Sequence, residues 1–538
     1  MKKLLEIFAK QPRLVVIFGY GLVTLAAFIL FFWVQSSGRF PDPDSFYHGR
    51  VAYLIFERGP IHNFPWLAKT VFADSYVDHH FLYHVLLIPF VRLAPTMAIG
   101  LWFSSIFFAV AATVSAAVLL RGLGVGPVAF VAPLLFLLSN PLVFRLNLAK
   151  APALSLVALF VGFYAIAKRR LILLGFVSFL YVWLYDGWFL LLFLLGLAIL
   201  SDAIIGEEIG AATAERGWHW RHRLFGRRSR ELIFASVIGI ILGHIINPYF
   251  PENLYFEWLH IVRIGFLGFR DAIAVGAEWY PYDPFELLAV TATTFLALVI
   301  GAVCFFVALM RRRGAGSALP RERARDTLTL LFFTLFALAV TLRSKRNVEY
   351  FVPFAVLFSV SALDLFIKAR GWLELRTSRP LVGRIGTLTI GAYLGLVLAL
   401  LAYRDLNGVR RDFINGVSSE KYAGLAAWLV KNTAPGALVF HNDWDDFPYF
   451  FQHNTHNRWL VGLDPAFMYV KDPKLFDDWV KITQAKITDR LAERIKNDFG
   501  AEYVFLDKDH VSLRAAVNSD RRIKLLYSDD EGAVYKVE

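Results

Sequence analysis

Long apolar runs recur along most of this chain, separated by short polar segments rich in lysine and arginine. Eleven runs approach the roughly 20 residues that a helix needs to cross a bilayer. They are 14–34, 97–120, 125–139, 151–167, 171–184, 187–204, 231–247, 285–310, 327–342, 350–367 and 385–402. Because several are short, we expect about 11 to 13 transmembrane helices. The pattern predicts a polytopic α-helical membrane protein.

The pattern changes after about residue 404. Short β-branched and aromatic runs alternate there with segments of helical spacing; the runs are 437–440, 459–461, 503–506 and 533–537, and the segments are 474–483 and 488–499. We therefore predict two domains. A transmembrane domain covers 1–403, with outer loops at 36–96 and 248–284, and an extracytoplasmic (periplasmic) α/β domain covers 404–538. The α/β domain carries no glycine-rich phosphate loop, so we assign it no nucleotide.

Composition and charge agree with a membrane protein. Of 538 residues, 57% are hydrophobic and 16% aromatic, far above a soluble protein, while the formal net charge is +12. Lys2, Lys3 and Arg13 precede the first apolar run, which places the N-terminus in the cytoplasm. Alternation then places the basic loops 216–230, 311–325 and 368–384 inside as well. Topology thus explains the basic excess, and we predict no nucleic-acid partner.

The first outer loop concentrates ionisable side chains at a membrane edge, where they are usually paired, metal-bound or catalytic. It contains Asp42, Asp44, His48, His79 and His80. Carboxylates and imidazoles suit a divalent cation, with the carboxylate oxygens favouring magnesium or manganese. Two alternatives stay open: Asp44 caps a helix that begins after it, and the histidines are satisfied polar groups at the headgroup level.

Two further segments of the predicted outer face carry candidate chemistry. The run from Arg343 to Arg346 violates the positive-inside rule there, which suggests the phosphate of a polyprenyl carrier as its ligand. The alternative is ion pairing with Glu349 or Asp283. Glu278 stands among aromatic residues, a setting that suits a sugar or an amide group, unless it is simply solvated.

Taken together, these segments resemble the catalytic subunit of oligosaccharyltransferase, within the GT-C superfamily of polytopic membrane glycosyltransferases. Asp44-Ser-Phe-Tyr-His48-Gly-Arg50 resembles the first-loop Asp-Pro-Tyr-Tyr-His-x-Arg signature. Residues 144–152 stand in the place of the second-loop motif, and Tyr185-Asp-Gly-Trp188 resembles Trp-Gly-Gly-Tyr. Trp444-Asp-Asp-Phe447 resembles Trp-Trp-Asp-Tyr-Gly.

The resemblance implies a GT-C-like fold, an inverting glycosyltransferase and a role for each matched position. Asp44 would be the catalytic acid. The donor phosphate would be bound by Lys150, Arg343 and Arg346, with Tyr47 and His48 on the donor side. The acceptor would be held by Glu278, Trp444 and Asp445. A metal, if present, would be bound by Asp44, Asp42, His79 and His80.

The departures from the family pattern bear on cofactor and acceptor. Asn147 and Lys150 stand where the family has acidic metal ligands. Two expectations follow: a bound Mn²⁺ or Mg²⁺, or metal-independence with the Lys150 ammonium supplying the charge. Asp443 replaces the first tryptophan of the acceptor motif, so an Asn-x-Ser/Thr acceptor does not follow from the resemblance.

We therefore expect an enzyme of a bacterial or archaeal-type cytoplasmic (inner) membrane with an extracytoplasmic active site. It would transfer a sugar or oligosaccharide from a polyprenyl phosphate or diphosphate to a protein, lipid or glycan. Two alternatives from other classes are a transporter or lipid flippase, and a non-catalytic component of a polysaccharide assembly system. Interrupted helices in two related halves would favour the transporter, and no such halves are visible in the sequence.

Overall fold

The computed structural model describes residues 12–210, 224–312, 320–370 and 381–538. Several predicted features lie outside these residues: Lys2 and Lys3, and the parts of the three basic loops that fall in 211–223, 313–319 and 371–380. The described chain consists of a large helical part followed by a small part that contains all five described strands.

The helical part contains sixteen described α-helices and one π-helical segment. The α-helices are Pro12–Val34, Asp44–Arg58, Phe81–Leu93, Met97–Gly122, Asn140–Asn147, Pro152–Ala167, Leu171–Leu184, Phe189–Gly210, Arg227–Ile245, Glu252–Glu257, Pro284–Val290, Ala292–Arg312, Arg321–Arg343, Val348–Arg370, Leu381–Ile414 and, at the junction with the sheet, Ala423–Asn432. The π-helical segment is Trp258–Leu267. Short 3₁₀ turns join them at Val71–Ala73, Pro127–Phe130, Ala132–Leu138, Asp186–Trp188, Ala277–Trp279 and Lys345–Asn347.

Six of the described helical stretches are long and apolar enough to cross a membrane. They are Arg13–Val34, Met97–Gly122, Asp186–Ile205, Ala292–Met310, Arg321–Arg343 and Lys345–Ala369. Asn140–Asn147 and Pro152–Ala167 would form a seventh span, sharply bent by 102°. Two shorter apolar helices, Phe81–Leu93 and Leu171–Leu184, accompany them. The predicted polytopic helical fold is confirmed, but the described residues contain six or seven stretches of spanning length where 11 to 13 were predicted, because several of the apolar runs form short or broken helices.

Two of the predicted apolar runs differ from a single long helix. The run at 125–139 forms the two 3₁₀ turns Pro127–Phe130 and Ala132–Leu138, with a proline near the start of each. Proline removes a backbone donor and restricts the residue before it, which breaks a continuous helix here. The run at 285–310 is divided between Pro284–Val290 and Ala292–Arg312.

The C-terminal part is built on one five-stranded sheet. Its strands are β1 (Leu438–His441), β2 (Arg458–Trp459), β3 (Tyr503–Asp507), β4 (Ile523–Ser528) and β5 (Gly532–Val537), in the order β2-β1-β3-β5-β4. β1 pairs in parallel with β2 and β3, whereas β5 pairs antiparallel with β3 and β4. Its helices are Asp446–His453, Ala466–Lys471, Pro473–Thr483, Leu491–Asn497 and Val511–Ser519.

The predicted α/β character of this part is confirmed. The division at 403/404 stays a prediction, and the helix Leu381–Ile414 runs across it.

Backbone hydrogen bonds join the first outer loop to the sheet. Ala68 N donates to Trp459 O at 2.8 Å, and Trp459 N donates to Trp66 O at 2.8 Å, so residues 66–69 lie beside β2. Phe40 and Val417 exchange two further backbone bonds, at 3.0 and 2.8 Å. The segment that precedes Asp44 is therefore held against the C-terminal part of the chain rather than left as a free loop.

Candidate active site between the helices and the sheet

Asp44 is the first residue of a helix whose start is set by its neighbours. Prolines at 41 and 43 restrict the approach to the helix Asp44–Arg58. The Asp44 N–H donates to Asp42 Oδ1 at 2.9 Å, whereas the Asp44 side chain makes no capping bond. The capping alternative for Asp44 is therefore wrong. Its carboxylate is left available to face a cavity.

Lys150 lies between the two aspartates of this loop. Its Nζ is 2.7 Å from Asp42 Oδ2 and 2.8 Å from Asp44 Oδ2. The bend between helices Asn140–Asn147 and Pro152–Ala167 places Lys150 there, and Pro152 near the start of the second helix favours that break. Burial raises the pKa of Asp44 to about 6, although Lys150 acts in the opposite direction.

Arg145 forms a second charged centre with two glutamates. Its Nε donates to Glu349 at 2.8 Å, and its Nη1 also pairs with Glu278. Burial acts to raise the pKa of Glu278, but Arg145 and Arg346 outweigh it and hold this pKa well below the usual range. Glu278 is thus an ionised, partly exposed member of a charge network and not a merely solvated side chain.

The basic run divides between two environments. Arg346 donates to the Tyr185 hydroxyl at 2.7 Å, lies 4.4 Å from the centre of the Trp279 ring, and is 3.8 Å from Glu278. Arg343 instead donates to Phe266 O at 2.6 Å. The structure brings Arg346 to the Asp44 cavity and does not bring Arg343 there.

The predicted ion pairs between the run Arg343–Arg346 and Glu349 or Asp283 are also wrong, because both acids bind other groups. Glu349 accepts from Arg145, and Asp283 accepts two backbone N–H groups at the start of Pro284–Val290. Lys345 pairs with Glu286 at 3.1 Å.

Two adjoining cavities share these charged groups. The wider one, ≈ 850 Å³, lies between the helices, the loop around Glu278 and the sheet part, with Trp444 and Asp445 in its wall. The narrower one, ≈ 120 Å³, is lined by Tyr47, His48 and other aromatic rings. Both are lined by Asp44, Arg145, Lys150, Glu278, Trp279, Arg346, Leu463 and Asp464. Asp44 and Lys150 therefore stand where the wide and narrow cavities meet.

The predicted donor-side residues line the narrow cavity. The Tyr47 hydroxyl is 2.8 Å from that of Tyr76, and His48 Nδ1 is 2.8 Å from His84 Nε2. His84 is held in turn by Asp78 at 2.7 Å. Burial lowers the pKa of His48 well below its ordinary value, so this imidazole is neutral at physiological pH.

The predicted acceptor-side residues line the wide cavity. Trp444 and Asp445 lie at the start of helix Asp446–His453, directly after β1. Burial raises the pKa of Asp445 to about 8, and the negative charges of Asp443, Asp44 and Asp42 act in the same direction. Asp445 is therefore largely protonated at neutral pH and able to donate a hydrogen bond.

The four predicted metal ligands do not form one set. Among the residues that the structure describes, the group of three side chains close enough to share an ion is His79, Asp186 and His260, without Asp42, Asp44 or His80. Between Asp42 and Asp44, the Lys150 ammonium occupies the position that a metal ion bound by both carboxylates would need. Asn147 is buried and accepts from Gln35 at 2.6 Å. The residues around Asp44 thus do not fit a divalent metal.

Sequence reasoning left several residues of the cavities without a role. Arg145 belongs to a segment already matched to the second-loop motif, and a cation in the middle of an apolar stretch was the signal for its importance. Asp186 and Trp279 lie in segments that the sequence analysis singled out, although no role was given to either residue. His260 carried no such signal, because it joins the site only through the packing of distant segments.

Comparison with solved structures identifies the architecture. The archaeal oligosaccharyltransferase AglB from Archaeoglobus fulgidus, in complex with an inhibitory peptide and a dolichol-phosphate, matches 99% of this chain and 75% of its own, with a TM-score of 0.60 and 13% identity. ArnT from Cupriavidus metallidurans, bound to undecaprenyl phosphate, matches 96% of this chain and 97% of its own (TM-score 0.50, 13% identity). Both proteins are polytopic membrane glycosyltransferases of the GT-C superfamily. The chain has the GT-C fold.

A third GT-C glycosyltransferase, the arabinofuranosyltransferase AftD from Mycobacteria, matches 96% of this chain and 40% of its own length, with a TM-score of 0.51 and 12% identity. No protein-family model and no curated protein matches the sequence itself. The GT-C fold and the apolar helices together make the chain an integral membrane protein.

Proposed function

We propose that this GT-C protein is a glycosyltransferase that uses a sugar or oligosaccharide carried on a polyprenyl phosphate or diphosphate. The observation that supports this best is the meeting of Asp44, Lys150 and Arg346 at the joint of two cavities. One carboxylate and two cations are the groups that the reaction needs. The related structures contain dolichol-phosphate and undecaprenyl phosphate, which supports a polyprenyl carrier as donor.

In the proposed step, a nucleophilic atom of the acceptor attacks the anomeric carbon of the donor sugar. A bond forms between these two atoms while the bond from the anomeric carbon to the carrier phosphate oxygen breaks. Asp44 takes the proton of the nucleophile, and the phosphate leaves with the bonding electron pair. Direct displacement inverts the anomeric configuration. A carboxylate with a pKa of about 6 is suited to this task, because it is both ionised and basic near neutral pH.

Arg346 is the cation best placed to bind the carrier phosphate. Lys150 and Arg145 each lie within 2.8 Å of a carboxylate oxygen, whereas the Arg346 contact to Glu278 is 3.8 Å. The Tyr185 hydroxyl and the Trp279 ring orient the guanidinium without neutralising it. A planar guanidinium can bind two phosphate oxygens at once, which favours it over an ammonium for this role.

Lys150 is proposed to supply the charge that a divalent metal supplies in related sites. Its ammonium already holds Asp42 and Asp44 together, and it lines both cavities. As negative charge builds on the leaving phosphate, a fixed ammonium beside the reaction centre stabilises it. We therefore propose that transfer needs no metal ion at Asp44.

The acceptor is proposed to enter through the wide cavity, on the extracytoplasmic side of a bacterial or archaeal-type cytoplasmic membrane. Trp444 offers an aromatic face, Asp445 a hydrogen-bond donor, and Glu278 an acceptor. A cavity of ≈ 850 Å³ accommodates a bulky acceptor. Protein, lipid and glycan acceptors each remain compatible with this lining.

The decisive experiment incubates purified protein with a radiolabelled pool of polyprenyl-linked sugars and three acceptor fractions: membrane proteins, lipids and glycans. Asp44→Asn is run beside wild type, with Asp74→Asn as the matched control, because Asp74 lies in the same loop and pairs with Lys471. We expect label in one fraction with wild type and the control, and at least a thousandfold less with Asp44→Asn. Equal labelling by folded Asp44→Asn protein would rule out the mechanism. No labelling by any folded form, together with movement of the carrier across vesicles, would favour a flippase.

A further inference from the structure

Three side chains from distant segments converge at the wall of the narrow cavity. His79 precedes helix Phe81–Leu93, Asp186 lies at the break between Leu171–Leu184 and Phe189–Gly210, and His260 belongs to the π-helical segment Trp258–Leu267. One ligand atom of each lies within 4.8 Å of those of the other two. Asp186 is buried, and its carboxylate pairs with His260 Nδ1.

The surroundings of this cluster fix its members in place. The His79 ring packs against two rings of the neighbouring helical segment, 4.8 Å from His260 and 5.2 Å from Phe256, measured between centroids. Glu257, three residues before His260, accepts a hydrogen bond from Trp188 Nε1 at 3.2 Å. This bond ties the turn that carries Asp186 to the helix that carries His260.

The chemistry of the three side chains is specific. Two imidazoles and one carboxylate make a three-ligand set of the kind that binds Zn²⁺ and leaves a fourth position open. Bonds of about 2.0 Å in a tetrahedral site separate the ligand atoms by about 3.3 Å, so small side-chain rotations from the present arrangement complete the set. Among the common divalent metals, imidazole ligands bind Zn²⁺ more tightly than Mn²⁺ or Fe²⁺.

An ion pair between Asp186 and His260 alone would account for two of the three side chains. It leaves His79 unexplained, because its ring makes contacts with other rings but no hydrogen bond to the described residues. His79 and His260 both line the narrow cavity, while Asp186 lies behind them. An ion held by the three would thus have protein on one side and the cavity on the other.

We propose that His79, Asp186 and His260 form a Zn²⁺ site whose fourth position faces the narrow cavity and accepts an anionic oxygen ligand. The site is separate from the Asp42–Lys150–Asp44 group, where the Lys150 ammonium takes the place of a metal ion. It also connects three segments of the fold that the sequence leaves far apart. The inference does not depend on the transferase proposal, since zinc binding is measured without any sugar transfer.

The test uses the full-length protein in detergent, purified with a tag that contains no histidine. The protein is stripped with a chelator and titrated with Zn²⁺ alone, and bound metal is counted by mass spectrometry. We expect one tightly bound Zn²⁺ per chain, with an affinity at least tenfold weaker in His79→Ala, Asp186→Asn and His260→Ala. His62→Ala is the matched control, because His62 is an exposed histidine of the same loop, and its ring contacts the Tyr249 ring.

Two further readouts guard against variants that simply misfold. Each variant must elute as a monodisperse peak, and His80→Ala, next to the site but outside the three-residue group, should bind Zn²⁺ as wild type does. In Co²⁺-loaded protein, adding inorganic phosphate should change the visible absorption spectrum if the fourth position is open. The proposal is overturned if wild type binds no Zn²⁺, or if folded His79→Ala and His260→Ala bind it unchanged. A Co²⁺ spectrum that phosphate leaves unaltered would refute the open position.

Discussion

Replacing Lys150 with methionine removes the ammonium while keeping most of the side-chain volume. In the structure this ammonium is 2.8 Å from Asp44 Oδ2 and 2.7 Å from Asp42 Oδ2. Two consequences should therefore be separable. The pKa of Asp44 should rise, because the nearest positive charge is lost, and the leaving phosphate should lose one of its stabilising cations.

The first consequence can be estimated. With a pKa of about 6, Asp44 is about nine-tenths ionised at pH 7. Losing an adjacent opposite charge shifts a carboxyl pKa by about one to three units. A rise of about two units would leave about one-tenth of the enzyme with Asp44 ionised at pH 7, which is about a tenfold loss of rate. This loss should vanish as the pH rises past the new pKa.

The second consequence should not depend on pH. Removing one group that stabilises charge in a transition state typically costs about a hundredfold to a thousandfold in rate. The ratio of Lys150→Met to wild-type kcat/KM should therefore rise about tenfold between pH 7 and pH 9 and then level off far below one. Taking the ratio at each pH cancels changes in rate that arise from groups common to both proteins.

The assay is sugar transfer to the labelled fraction, measured from pH 5.5 to 9.5 with wild type, Lys150→Met and Lys150→Arg. The arginine variant keeps the positive charge, so the loss of its kcat/KM at low pH should still have its midpoint near pH 6. A ratio for Lys150→Met that is flat across this range would refute the reasoning, because it would mean that Lys150 does not influence the ionisation of Asp44. Retention of full activity by Lys150→Met at every pH would refute both consequences.

Three further predictions concern the phosphate, the acceptor and the metal. Arg346→Gln should weaken binding of undecaprenyl phosphate at least tenfold, followed by tryptophan fluorescence, while Arg343→Gln should change it less than twofold; equal effects would contradict the division between these arginines. Because a raised pKa of about 8 keeps Asp445 protonated below that pH, wild-type transfer should fall as pH rises through 8, and Asp445→Asn should abolish that fall. In a His260→Ala background, where the proposed zinc site is lost, EDTA should leave the remaining transfer rate unchanged; loss of that rate, restored by Mn²⁺, would show that Asp44 does use a metal.

Local sequence was sufficient for the features that one short segment determines. The signature beginning at Asp44 carries its own helix start, since the prolines at 41 and 43 and the Asp42 side chain all lie next to it. Lys150 was placed beside a phosphate by resemblance alone. Its actual contact with both aspartates follows from the bend before Pro152.

Features that depend on distant packing were not predictable. Arg343 and Arg346 look alike in the sequence, but a 3₁₀ turn at Lys345–Asn347 directs the second toward the cavity and leaves the first beside Phe266. The Asp186 and His260 pair joins positions 74 residues apart. Nothing in the local sequence around either residue predicts contact with the other.

One strand of the sheet was also missed. β4 is mostly exposed, with only Ile523 buried, and it lies at the edge of the sheet. Its run Leu525-Leu-Tyr527 is apolar like those by which the other strands were recognised, so nothing in the sequence itself explains why it was missed. The helices at 473–483 and 491–497, which each bury one face, agree with the predicted segments to within a few residues.

The pairing of residues 66–69 with β2 has a consequence for how the protein is made. Trp66 and Thr455, which share a side-chain hydrogen bond at this junction, are separated by 389 residues. During synthesis the first outer loop emerges long before the strand that completes it, and contacts of such long sequence separation form slowly. The segment that carries Asp44 must therefore wait, incompletely folded, until the last part of the chain has been made and delivered to the same side of the membrane. A ribosome that stops before β2 would leave residues 66–69, and with them the loop that carries Asp44, without the strand that holds them.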